Sequence, residues 1–66
     1  MLSKRLKELR RKKGLTMKKA GALAGVTESS ISLYESGKRY PSCSVLIELA
    51  KLYETDVDTL LEGEFK

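Results

Sequence analysis

Apolar residues recur along the chain at helical spacing, and no segment alternates as a half-buried strand would. Leu2, Leu6 and Leu9 fall at i, i+4 and i+7, with Lys4, Arg5 and Lys7 between them and Arg11 and Lys12 after. That pattern predicts an amphipathic helix over 2–13 with a narrow apolar stripe and a basic opposite face. Gly14 suits the left-handed residue that follows a helix C-terminus. Thr16 is placed to cap a second, short helix over 17–24, which Gly25 ends. Its interior, Ala20-Gly21-Ala22-Leu23-Ala24, is mostly small residues. A glycine inside a helix costs about 1 kcal/mol relative to alanine. Close approach of another helix backbone is therefore expected at Gly21. Thr27 caps a third helix over 28–36, in which Ile31 and Tyr34 share a face, and Gly37 closes it.

The basic loop Lys38-Arg39-Tyr40-Pro41 follows, with Pro41 preventing helical continuation. Ser42 caps a fourth helix over 43–53, where Val45, Leu46, Leu49, Ala50, Leu52 and Tyr53 make a broad apolar face. Thr55 and Asp58 have capping-box-like spacing ahead of a fifth helix over 56–61 that carries Val57, Leu60 and Leu61. Gly63 closes it. The expected architecture is all-α, with five helices in a single domain over 1–66.

Sixty-six residues leave room for one domain near the lower limit of unaided folding. Such a chain needs an efficient helical core or a partner subunit. An apolar fraction of 41% is too high for a disordered tail. No apolar run reaches the ~18 residues of a membrane span, and the charged N-terminus does not read as a signal peptide. A cytoplasmic location is expected. Cys43 is the single cysteine and histidine is absent. An internal disulfide is thereby excluded, as is a Cys/His zinc site within one chain. The usual general base and nucleophile-activating partner are missing too, which argues against an enzyme. No metal, cofactor or small-molecule ligand is expected.

Charge changes the picture more. Residues 1–40 carry eleven Lys/Arg against three Glu, and residues 41–66 carry two Lys against six Asp/Glu. A basic half joined to an acidic half fits a polyanion on one side and solvent or a second subunit on the other. Two short helices joined by a glycine-containing turn form a helix-turn-helix arrangement. It requires a small residue where the helices cross, a positive-φ turn residue and apolar inward positions. Gly21, Gly25 and the set Ala20, Ala24, Val26, Ile31 and Tyr34 meet those demands.

On these residues, together with Gly14-Leu15-Thr16, Pro41-Ser42, Leu6, Leu9 and Arg10 before and Leu46, Leu49, Ala50, Val57 and Leu60 after, the chain resembles the phage Cro/C1-type (lambda-repressor-like) family from about Leu2 to Leu61. The resemblance implies a five-helix fold that binds double-stranded operator DNA, usually as a homodimer on near-palindromic sites. It makes 28–36 the recognition helix, with Glu28, Ser29, Ser32 and Leu33 facing base edges in the major groove. Serine discriminates weakly, Leu33 can touch a thymine methyl and Glu28 can accept from cytosine N4. Family members often carry Gln or Arg here. Their lack implies modest direct readout and more dependence on DNA shape. Plain solvation is the other reading of Ser29 and Ser32.

Phosphate contacts are implied for the start of the second helix, Thr16, Met17 and Lys18, for Lys38 and Arg39, and for Ser30, which can alternatively reach a base. Met17 stands where the family typically has Gln, which puts a side-chain donor in doubt; Lys18 or Lys19 can replace it. Arg11 and Lys12 are weaker candidates. Arg10 and Glu35 match family positions that form an ion pair between the first and third helices. Ala20 and Ala24 are smaller than the family's usual Leu. Leu23 sits where the family is usually polar, either drawn into a repacked core or exposed.

No separate oligomerisation domain is expected, so dimerisation falls to the fifth helix and tail: Val57, Leu60, Leu61 and Phe65. At least one of Leu60 and Leu61 belongs to the chain's own core. Two competing readings stand beside this one. A protein-interaction module of antitoxin or adaptor type draws on Leu23 and the weak base readers. A membrane-surface helix over 2–13 conflicts with the core's need for Leu2, Leu6 and Leu9.

Overall fold

Residues 1–64 are described by the computed structural model, and among them five helices form and no strand. They are α1 (Leu2–Lys12), α2 (Met17–Ala24), α3 (Glu28–Ser36), α4 (Cys43–Leu52) and α5 (Val57–Leu61). Helices α2 and α3, joined by the short turn 25–27, form the expected helix-turn-helix. Helix ends follow local chemistry. Thr16, Thr27 and Ser42 each accept, through the side-chain oxygen, the backbone N–H three residues on: Lys19 at 3.1 Å, Ser30 at 3.0 Å and Val45 at 3.4 Å. Lys13 is the C-cap of α1 and Tyr53 that of α4, so both helices stop one residue short of their expected ends. At the fifth helix the expected cap is corrected. Asp56, not Thr55, accepts the Thr59 N–H, at 2.7 Å, and the helix starts at Val57.

Helix α1 packs on α3 and α5, α2 on α3 and α4, and α4 on α5. All five helices contribute to one apolar interior, from Leu2 and Leu6 at one end of the chain to Leu60 at the other. Leu15, Val26, Val45 and Leu52 pack half-buried around it. No helix among the described residues is long and apolar enough to cross a membrane.

Candidate nucleic-acid interface

The angle between α2 and α3 is set by backbone meeting backbone at Gly21. A Cβ built there would lie 2.8 Å from the Val26 carbonyl oxygen and about 3.0 Å from the Thr27 carbonyl carbon. The approaching element is thus the turn, not another helix as the sequence reading expected. Gly25 caps α2 at φ +79°, and the Gly25 and Val26 N–H groups both donate to the Gly21 carbonyl. A side chain at position 21 would push the turn, and α3 with it, away from α2.

Within α3, Ile31 and Tyr34 are buried, which leaves Glu28, Ser29 and Ser32 exposed and Leu33 half-buried. Ser36, not anticipated from the sequence, is also exposed and stands i+7 from Ser29 and i+4 from Ser32. The helical repeat was the available signal. Ser30 is half-buried and its hydroxyl oxygen accepts from Thr27 Oγ1 at 3.0 Å, leaving its own proton free for a third group. The far end of the row is tied to the basic loop. The Leu33 carbonyl accepts the N–H groups of Lys38 at 3.0 Å and Arg39 at 3.2 Å, and the Ser36 hydroxyl at 3.1 Å. Two exposed cations are thereby held at a fixed offset from Leu33.

At the start of α2, Lys18 and Lys19 are exposed. Thr16 takes the Lys19 N–H, so the Met17 and Lys18 amides, first in the helix, have no intrahelical acceptor. Met17 itself packs half-buried against the core and offers an anion its backbone rather than its side chain.

Arg10 and Glu35 tie α1 to α3. Nε and Nη2 donate to the two carboxylate oxygens at 2.8 and 3.0 Å, while Nη1 donates to the Leu15 carbonyl at 2.8 Å. The two side chains are 9% and 4% exposed. Hydrogen bonding to Glu35 holds the guanidinium above its ordinary range despite desolvation. Burial, aided by Glu35, pushes the neighbouring Tyr53 phenol up to about 12, so it remains protonated at neutral pH. One fork therefore joins α1, the α1–α2 turn and α3.

Of the residues expected at a subunit interface, Leu60 is 0% exposed and belongs wholly to its own chain's core. It has no surface to offer a second copy. Val57 and Leu61 are half-buried, and Phe65 lies outside the described residues. Leu23 is settled as exposed, at 53%. Two features escaped the sequence reading. Ile47 is 44% exposed on α4. Arg5, which looked like one cation among many, donates from Nη1 to the carbonyls of Thr59, Leu60 and Glu62, each at 2.9 Å. A concavity of about 450 Å³ between α1 and the turn after α4 is lined by Leu9, Lys12, Lys13, Tyr53, Glu54 and Thr55. Of these, only Lys12 is among the residues expected from the sequence, as a weaker candidate, to contact phosphate.

The helix-turn-helix domain family model matches residues 2–62, and the chain belongs to that family. It is 43% identical over 60 residues to the HTH-type transcriptional regulator AnsR of Bacillus subtilis (strain 168), covering 91% of this chain and 52% of that protein. The chain spans about half the length of the curated relatives it matches first. The P22 c2 repressor, solved in complex with a synthetic operator, superimposes with a TM-score of 0.91 at 27% identity, covering 96% of each chain. SinR, solved as a SinR/SinI protein complex, superimposes with a TM-score of 0.89 at 29% identity, covering 98% of this chain and 64% of that one. The fold and the match together define a helix-turn-helix domain of the Cro/C1 type, and the curated relatives that carry it are named as HTH-type transcriptional regulators.

Proposed function

We propose that this domain acts as a repressor, binding a near-palindromic operator as a homodimer. In this reading Glu28, Ser29, Ser32 and Leu33 face base edges. Thr16, Met17 and Lys18, through the first amides of α2, contact phosphate on one side of the groove; Ser30, Lys38 and Arg39 do so on the other. Two recognition helices set about 34 Å apart match one turn of DNA. The observation that carries the reading is the exposed row on α3, oriented by the Arg10–Glu35 fork and flanked by cations held at the Leu33 carbonyl. A repressor solved on its operator shares the fold over nearly its whole length. With no Gln or Arg on α3, base contacts are weak and DNA shape takes a larger share.

The test separates phosphate from base contacts by titrating operator and scrambled duplexes at several salt concentrations. Lys38→Ala should weaken binding to every sequence and lower the slope of log K against log salt by about one. Ser32→Ala should leave that slope alone and change which sequence is preferred. If both variants change only the preference, or neither changes anything, the residue roles are wrong.

A second reading has a specific observation in its favour. Leu23 is an exposed apolar residue on α2, with Lys19 one turn before it. SinR, with the same fold, was solved bound to a protein. A domain that meets a partner protein through α2 while on DNA would use this surface. Replacing Leu23 with Lys should abolish such a complex and spare operator affinity.

A further inference from the structure

The first turn of α1 abuts the end of α3. A Cβ built at Gly37 would lie 3.7 Å from the Ser3 hydroxyl oxygen. Beside that contact opens a cleft of about 180 Å³ whose wall includes Leu2, Tyr34, Arg39, Tyr40 and Glu64. The cleft joins three parts of the chain: the start of α1, the basic loop after α3 and the segment that follows α5. Glu64 is the only carboxylate lining it.

Met1, the N-cap of α1, supplies no side-chain cap, and Glu64 Oε2 accepts the Leu2 N–H at 3.0 Å. An anion suits that place, because the helix dipole leaves partial positive charge at the first amides. The same carboxylate is felt in the loop. Desolvation, aided by the Glu64 charge, pushes the Tyr40 phenol above its ordinary range. Arg39 shares the cleft, yet no salt bridge among the described residues joins it to Glu64. Both charges are anchored. Glu64 is tied to α1, and the backbone of Lys38 and Arg39 is tied to the Leu33 carbonyl, so the loop cannot drift away from the carboxylate. A helix cap needs an acceptor and not a charge: hydroxyls serve at the starts of α2, α3 and α4. At α1 the oxygen closes the helix, while the charge falls on the loop.

We propose that Glu64 is an autoinhibitory group for DNA binding: anchored on the first amide of α1, its carboxylate sets a fixed negative charge in the cleft beside Arg39 and repels the phosphates that the basic loop attracts. The inference rests on the reading above that Lys38 and Arg39 contact the DNA backbone. Phosphates carry no sequence information, so the repulsion weakens binding to every duplex alike and leaves the preference between sites unchanged. Its consequence is a domain held less tightly by backbone attraction alone.

The experiment compares wild type with Glu64→Gln, whose amide oxygen can still accept the Leu2 N–H, and with Glu48→Gln, which removes the same charge from a residue of α4 outside the cleft. Titrations of a duplex from the gene's own upstream region and of a scrambled duplex, between about 50 and 200 mM salt, read DNA binding. Thermal unfolding shows that each variant is folded. Glu64→Gln should tighten both duplexes by about three- to tenfold at the lowest salt, as one unit charge a few ångströms from a phosphate implies in water, and the gain should shrink as salt rises. Glu48→Gln should change either affinity by no more than about twofold, because exposed charges beyond about 10 Å are largely screened. Equal gains from the two variants would reveal an effect of net charge alone and overturn the proposal. A folded Glu64→Gln that binds like wild type, or more weakly, overturns it too and leaves the DNA reading intact. Should Glu64→Gln and a second variant, Glu64→Ala, both unfold, the carboxylate serves the fold rather than the interface, and the proposal also fails. A wild type that binds neither duplex removes the DNA reading and this inference with it.

Discussion

Gly21 carries the domain's geometry in a single absent methyl group. Helix propensity alone favours alanine there by about 1 kcal/mol. The 2.8 Å separation from the Val26 oxygen opposes it, because both the helix and the turn are backbone and neither can rotate aside. Overpacking of this kind costs about 1–3 kcal/mol. Gly21→Ala should therefore lower Tm by several degrees, on the order of 4–8 °C per net kcal/mol for a domain of this size. A thermal melt followed by circular dichroism checks the sign, and an unchanged or raised Tm would show that the turn yields. This residue was legible because glycine is a poor helix former placed where two elements must meet. Arg10–Glu35 was visible only through family resemblance, since nothing in residue spacing pairs positions 25 apart. Arg5 was not visible at all. Its partners are main-chain carbonyls more than fifty residues away, and carbonyls leave no trace in a sequence.

Among the elements, α1 to α4 follow from apolar spacing plus cap residues, with ends shifted by one residue at Lys13 and Tyr53. Helix α5 shows where that reasoning thins. Thr55 and Asp56 are both competent caps, and a five-residue helix carries too little periodicity to choose between them. The choice made has a consequence in acid. Hydrogen bonds from Thr59, the backbone N–H first, hold the Asp56 carboxyl below its ordinary value of 3.8. A group whose folded-state pKa is depressed contributes fully above its unfolded value and loses that contribution as pH falls through the folded one. The cap should thus be intact at neutral pH and fail below about 3.8. Amide-exchange protection at Thr59 and Leu60 should drop through that window, while Asp56→Ser, capped by a hydroxyl that does not titrate there, should not show the drop from this source. The same acid dependence in both proteins would place its origin elsewhere.

At the scale of the whole molecule, the two halves of the charge pattern are joined to each other as well as to solvent. Glu64 caps α1, and Glu54 pairs with Lys13. Among the described residues the acidic segment thus engages the end of α1 at Lys13 and the start of α1 at the Leu2 N–H, while no salt bridge takes up Lys18, Lys19, Lys38 or Arg39, nor Lys4, Lys7, Arg11 or Lys12. That division was half legible. The net imbalance could be counted, but which cations were already engaged depended on chain ends meeting. Sequence likewise could not say whether Leu23 was buried, because a core built on Ala20 and Ala24 admits either arrangement until α4 is in place. In the proposed function α3 reads DNA, its row of Glu28, Ser29, Ser32 and Leu33 selecting a symmetric site. A competition titration tests it most directly: labelled duplex from the gene's own upstream region is bound at fixed salt and challenged with unlabelled random DNA and with the same duplex carrying one altered half-site. The account predicts that random competitor displaces the protein at least about a thousandfold less effectively than the native duplex, with the altered duplex between them. Equal displacement by all three would contradict it, leaving charge attraction as the whole of the interaction.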